Sequence, residues 1–176
     1  TGHVADINGD GYDDLIIAAN NDGHHNDLAS YVYFGSKEGI TENRKIDLAA
    51  PGCSACAVGD FDGDGVKEIC YLVADSPQIS FSPLDLYNHR LRVYKQGERG
   101  FSMEAYKDYP IAVSWFKAYD IDGDGCDDLY CRTADGKWLV LWGGSDGFSL
   151  ENSLEIGHAT NDKERFEILP YGGGNI

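Results

Sequence analysis

Residues 60–68 read Asp60-Phe61-Asp62-Gly63-Asp64-Gly65-Val66-Lys67-Glu68, and the fold is decided by how this stretch is understood. The same design occurs as Asp6-Ile7-Asn8-Gly9-Asp10-Gly11-Tyr12-Asp13-Asp14 and as Asp120-Ile121-Asp122-Gly123-Asp124-Gly125-Cys126-Asp127-Asp128. Each copy sets oxygen-bearing side chains at positions 1, 3, 5 and 9. Each has glycine at position 6, where a sharp turn needs a backbone conformation that other residues resist. A short apolar run follows each copy at once, beginning at Leu15, Ile69 and Leu129. A cation-wrapping loop that feeds a strand is therefore written three times.

Calcium takes about six to eight oxygens in flexible geometry. Side chains at positions 1, 3 and 5 of a tight loop can converge on one point, a backbone carbonyl at position 7 adds a neutral ligand, and the acid at position 9 closes the cage. The expected ligand sets are Asp6, Asn8, Asp10, Tyr12 and Asp14; Asp60, Asp62, Asp64, Val66 and Glu68; and Asp120, Asp122, Asp124, Cys126 and Asp128. Asn8 lowers the ligand charge of the first site, and Glu68, one methylene longer than aspartate, gives the second a different shape. An EF-hand needs an acid at position 12 and helices on both sides. Position 12 is Ile17, Tyr71 and Cys131, which excludes EF-hand and dockerin-type loops. Three aligned copies also count against a metal-free Asp/Gly turn.

The chain has 176 residues and a formal net charge of −16. Of its 30 acids, 13 lie inside the three loops, so the acidity reads mainly as metal sites. It argues against nucleic acid as a partner, because phosphate binding needs a basic stripe. No apolar run reaches the roughly 18 residues of a membrane span. The chain opens on Thr1-Gly2 without a methionine, and a trimmed start is the expectation. Its 5 cysteines are an odd number, so they cannot all pair within the chain and do not reveal a redox compartment.

From Asp6 to Asp60 is 54 residues and from Asp60 to Asp120 is 60, a period of the size found in propellers and arrays. Four strand-like pieces recur in each unit. One enters the loop (His3–Ala5, Cys56–Gly59, Phe116–Tyr119) and one leaves it (Leu15–Ala19, Ile69–Val73, Leu129–Thr133). A third is aromatic and β-branched (Tyr31–Phe34, Arg92–Lys95, Leu139–Trp142) and a fourth follows (Arg44–Leu48, Ala105–Tyr109, Ser153–Ile156). Between the last two, Gly39-Ile40, Gly100-Phe101 and Gly147-Phe148 align, each glycine being followed by an apolar residue expected to re-enter the core. The expected fold is all-β: three four-stranded antiparallel blades of a propeller, in units of approximately 1–52, 53–112 and 113–160. Residues 161–176 would begin a fourth. Closed propellers usually need at least four blades, so the chain reads as one segment, 1–176, of a larger or assembled ring.

The pattern Asp-x-Asp/Asn-x-Asp-Gly-x-x-Asp/Glu before an apolar strand resembles the FG-GAP repeat, also called VCBS-like. That repeat builds the calcium-bearing blades of integrin α-chain propellers and of many bacterial secreted proteins. Phe34-Gly35 stands where the family has Phe-Gly, and Ala50-Pro51 echoes its later Ala-Pro, whereas units two and three carry Lys95-Gln96 and Trp142-Gly143. The resemblance covers about residues 1–160. It implies blades whose ions pin the turn between the first two strands, and it does not imply one activity.

The remaining candidates are weaker. Cys53-Ser54-Ala55-Cys56 has C-x-x-C spacing, but without a second pair it is weak for zinc and without a βαβ context it is not a thioredoxin motif; ordinary thiols fit it best, a local disulfide next. His24-His25 and Tyr87-Asn88-His89-Arg90 lie in the longer loops of units one and two, which are also the places to seek specificity. A histidine beside tyrosine and arginine suits proton abstraction from a uronic acid, and rhamnogalacturonan and ulvan lyases are built on propellers. Trp115, Trp138 and Trp142 could stack on sugars, although blade packing is the commoner role for aromatics in such strands. The expected function is a calcium-stabilised, non-catalytic, extracellular or cell-surface module for glycan or protein, with three calcium ions and with other blades as partners. The alternatives are a fragment of a propeller polysaccharide lyase and a structural self-assembling segment.

Overall fold

A computed structural model describes residues 2–20, 22, 27–74 and 89–158. His24, His25, Tyr87 and the 159–176 tail lie outside the described residues, and so do most of the two longer loops. The twelve strands are β1 (Gly2–Ala5), β2 (Asp14–Ile17), β3 (Ser30–Tyr33), β4 (Lys45–Leu48), β5 (Ala55–Gly59), β6 (Glu68–Ala74), β7 (His89–Tyr94), β8 (Tyr106–Tyr109), β9 (Val113–Tyr119), β10 (Asp128–Thr133), β11 (Lys137–Leu141) and β12 (Ser153–His158). They form three four-stranded sheets, each in chain order and antiparallel throughout. The fold is all-β with propeller-like blades. Its helical content among the described residues is one 3-10 turn, Glu42–Arg44. No helix there is long and apolar enough to cross a membrane.

Two apolar layers hold the sheets together. Ile16, Val32 and Leu48 of the first sheet pack with Ile69, Tyr71, Val73 and Tyr94 of the second. Cys70, Leu72 and Leu91 of the second pack with Phe116, Leu129, Cys131 and Leu141 of the third. The alternation of side chains along a strand sends Ile69, Tyr71 and Val73 one way and Cys70 and Leu72 the other. All seven residues of β6 are therefore buried, while in β2 burial alternates with partial exposure.

The outer face of the third sheet carries Trp115, Tyr130 and Trp138, with Tyr130 stacked on Trp138 at 5.1 Å between ring centroids. Trp115 is 38% exposed and Leu154, on the same face, 48%. The aligned apolar residues after the third strand obey the same logic. Phe148 reaches back to Phe61 of the second loop and Tyr109 of the second sheet and is buried. Phe101 reaches back to the layer between sheets one and two. Ile40, expected in the core, is instead 47% exposed, because no sheet precedes the first among the described residues.

Candidate metal centres

The three loops share one hydrogen-bonded frame. The position-1 carboxylate is its hub. Asp60 Oδ1 accepts from the Gly63 and Asp64 N–H groups at 2.9 and 3.1 Å, and Oδ2 accepts from Gly65 N–H at 2.8 Å. Asp6 accepts from Gly9, Asp10 and Gly11, and Asp120 from Gly123 and Gly125. The position-5 acid accepts from the position-7 N–H in every copy: Asp10 from Tyr12, Asp64 from Val66, Asp124 from Cys126. Closing so tight a turn needs φ near +72° to +80° at position 4 and +86° to +95° at position 6. Glycine supplies both. Position 4 is glycine in all three copies, a signal that the position-6 argument passed over.

The position-9 acid ties the loop to the sheet. Asp14, Glu68 and Asp128 accept from the position-2 N–H groups of Ile7, Phe61 and Ile121 at 2.8–3.0 Å. Asp14 and Asp128 then use the second oxygen on Gly35 and Gly143 N–H, two residues past β3 and β11. At both glycines a Cβ would meet the carbonyl oxygen of the position-8 residue, 2.2 Å from Asp13 O and 2.5 Å from Asp127 O. This close approach is the physical need behind Gly in the Phe34-Gly35 pair. In the second sheet the corresponding residue is Gln96, and Glu68 Oε1 is buried without a hydrogen-bond partner.

Electrostatics follow from burial and from the shared N–H groups. Burial pushes the Glu68 carboxyl up to about 7, against the pull of the Phe61 N–H and with the Asp62 charge adding to the rise. Burial raises Asp14 and Asp128 in the same way. Asp6 is lowered, above all by Gly11 N–H. Each loop therefore gathers carboxylates, one of them desolvated, that a cation would stabilise. The structure brings together Asp60, Asp62 and Glu68, and separately Asp120, Asp122 and Asp128, with one oxygen of each within 4.8 Å of the others in its trio. Asp64 and Asp124 stand outside these trios, and no such trio of acids forms around Asn8 in the first loop. The orphaned Glu68 Oε1 fits a divalent cation: it is an oxygen aimed into an acidic cluster and satisfied by nothing else there.

Residues 6–71, from the first loop through the second and into β6, match the family of the FG-GAP-like repeat. This stretch is an FG-GAP-like repeat. No curated protein matches the chain. The loop, the position-9 acid and the strand that follows recur in the third unit, beyond the matched residues, with corresponding hydrogen bonds.

Neighbouring units interlock through position 8. Asp127 Oδ2 accepts from Asp60 N–H at 2.8 Å, and Asp60 O accepts from Asp127 N–H at 2.7 Å. Lys67, the position-8 residue of the second loop, donates to Asp6 O at 3.2 Å. Sequence reading missed this role, although position 8 is charged in all three copies. Among the described residues, the other candidates do not assemble a second site. All 5 cysteines are free thiols; Cys53, Cys70 and Cys131 are buried, and burial pushes Cys53 up to about 12 and Cys56 to about 11. His89 begins β7, and the neighbouring Arg90 is bound to Asp108 at 2.7 Å.

Proposed function

We propose that the chain is a calcium-stabilised, non-catalytic propeller module of the extracellular space or cell surface, binding glycan or protein. The acidic trios of the second and third loops carry this reading, with the unpartnered Glu68 Oε1 pointing to a cation that the protein itself does not supply. The expected ligands are the oxygens of positions 1, 3, 5, 7 and 9 in each loop. Millimolar extracellular calcium saturates weak loops that cytosolic calcium would leave empty, which favours that compartment. The 1–176 segment is read as one body whose outer faces, Val4, Leu15 and Tyr31 on the first sheet and Trp115, Tyr130 and Trp138 on the third, are covered by further blades of the same or another chain.

Thermal unfolding with and without a calcium chelator tests the reading. A ligand at a hundred times its Kd stabilises by about 2.7 kcal/mol per site, so the midpoint falls clearly on chelation. An unchanged midpoint refutes the calcium role. Incubation with uronate polysaccharides leaves their absorbance unchanged under this reading, and the appearance of unsaturated ends would replace it with a lyase.

A further inference from the structure

Lys95 follows β7 at the place that Phe34 holds after β3 and Trp142 after β11. Its ammonium lies against Asp62 Oδ2 and 2.6 Å from Asp64 Oδ2, the acids at positions 3 and 5 of the second loop. The same loop holds two carboxylate oxygens without hydrogen-bond partners, Asp62 Oδ1 and Glu68 Oε1, and Glu68 is only 2% exposed. One side of the cluster is thus closed by a cation of the chain itself, and the other is left open.

We propose that Lys95 is a tethered competitor for the cation of the second loop, which a divalent ion must displace to bind. The inference rests on the calcium reading above. An ammonium shared by positions 3 and 5 uses two of the oxygens that the ion needs, and its charge repels the ion at close range. Displacement is mechanically simple. The side chain is a flexible four-carbon stem, 49% exposed, and it borders a cavity of about 900 Å³ lined also by Asp62, Glu68, Tyr106 and Phe148. The other loops are guarded less. Arg44 stands 3.6 Å from Asp10 in the first, and no cation is paired with Asp120, Asp122 or Asp124 in the third among the described residues. The third loop therefore fills first, and the second fills later than its four acids alone would dictate.

Calcium titrations of the full chain, followed by the amide resonances of Gly11, Gly65 and Gly125, read the three loops separately, because each of these N–H groups is bonded to its own position-1 carboxylate. Lys95→Met should move the Gly65 midpoint to lower calcium by roughly threefold to fivefold, the scale of an exposed charge pair, and leave Gly11 and Gly125 where they were. Lys95→Arg, which keeps the charge, should stay near the wild-type midpoint. A Gly65 midpoint that is unmoved or higher in Lys95→Met, with calcium still binding, overturns the competitor and leaves the calcium reading standing. No response at any of the three glycines overturns both.

Discussion

Replacing Gly35 by alanine tests why a strand end must come so close to the loop. A Cβ at this position lies 2.2 Å from Asp13 O, 3.0 Å from the carbonyl carbon and 3.2 Å from Tyr12 Cβ. The obstacle is backbone, so relief requires β3 and the first loop to separate. Separation breaks the 2.8 Å bond from Gly35 N–H to Asp14 Oδ1, and Asp14 is fully buried. Overpacking costs about 1–3 kcal/mol. An unsatisfied buried acceptor costs about 1–3 kcal/mol more. Taking roughly 3 kcal/mol in all, the thermal midpoint of a chain of this size falls by about 6–12 °C. Gly143→Ala should behave alike, since its Cβ would sit 2.5 Å from Asp127 O and 3.0 Å from Phe61 O. Gly97→Ala is the control. Its nearest obstacle is Gly100 O at 3.8 Å, so the change is neutral or stabilises by up to about 1 kcal/mol through the unfolded chain. Circular dichroism melts of the three variants decide the matter. If Gly35→Ala and Gly97→Ala melt together, the close approach is not what fixes glycine in the pair.

Two further outcomes concern the second sheet and the thiols. Arg92, 5% exposed, binds Asp108 through two 2.7 Å bonds and Ala49 O through a third; Arg92→Met should cost about 2 kcal/mol, below the roughly 3–5 of a fully buried pair because Asp108 faces solvent, as measured by urea unfolding. At Asp108 burial acts upward but is outweighed by Arg92 and Arg90, so its carboxyl is held below the ordinary range; its contribution is complete above about pH 4 and is lost as pH falls through the lowered value, and Asp108→Asn should remove that acid limb from the urea midpoint. With Ellman's reagent, Cys53, Cys70 and Cys131 should stay silent until the chain unfolds, while the half-buried Cys126 reacts in the native state; early labelling of the first three would contradict the packing between the sheets.

Most of the fold was legible because the determinants are local. The aspartate–glycine spacing sets each loop, the apolar run after it sets β2, β6 and β10, and the tight turn at Ala134–Gly136 sets the pairing of β10 with β11. Strand bounds shifted by one to three residues, as for β9, which starts at Val113 rather than Phe116. What remained hidden depends on which sheet lies beside which. Strand alternation sends Tyr71 and Cys70 to opposite faces, but no pattern within unit two reveals which neighbouring sheet each face meets. Ile40 and Phe148 occupy the same place in their units and differ in burial because, among the described residues, only one has a preceding sheet to rest on. The candidate ligand positions could be proposed one by one, but the bond that the position-9 acid accepts from a backbone N–H beyond the third strand needs a partner 15 to 21 residues away.

The second sheet shows how such distant partners combine. Read along the chain, Glu68 for aspartate, Lys95 for phenylalanine and Gln96 for glycine are three separate departures from the first unit. In the structure they meet at one loop. A residue with a Cβ at position 96 removes the close approach that Gly35 and Gly143 make, and with it the N–H that would satisfy the position-9 acid. The longer glutamate still reaches Phe61 N–H through Oε2, so the loop remains tied to its sheet while Oε1 is released. The lysine next to Gln96 brings a cation to Asp62 and Asp64 on the same loop. In sheets one and three both oxygens of the position-9 acid accept from backbone N–H groups. In sheet two Glu68 Oε1 has no such partner and Lys95 is set against Asp62 and Asp64, so the three loops share one frame and, under the calcium reading proposed above, would differ in how readily each admits an ion.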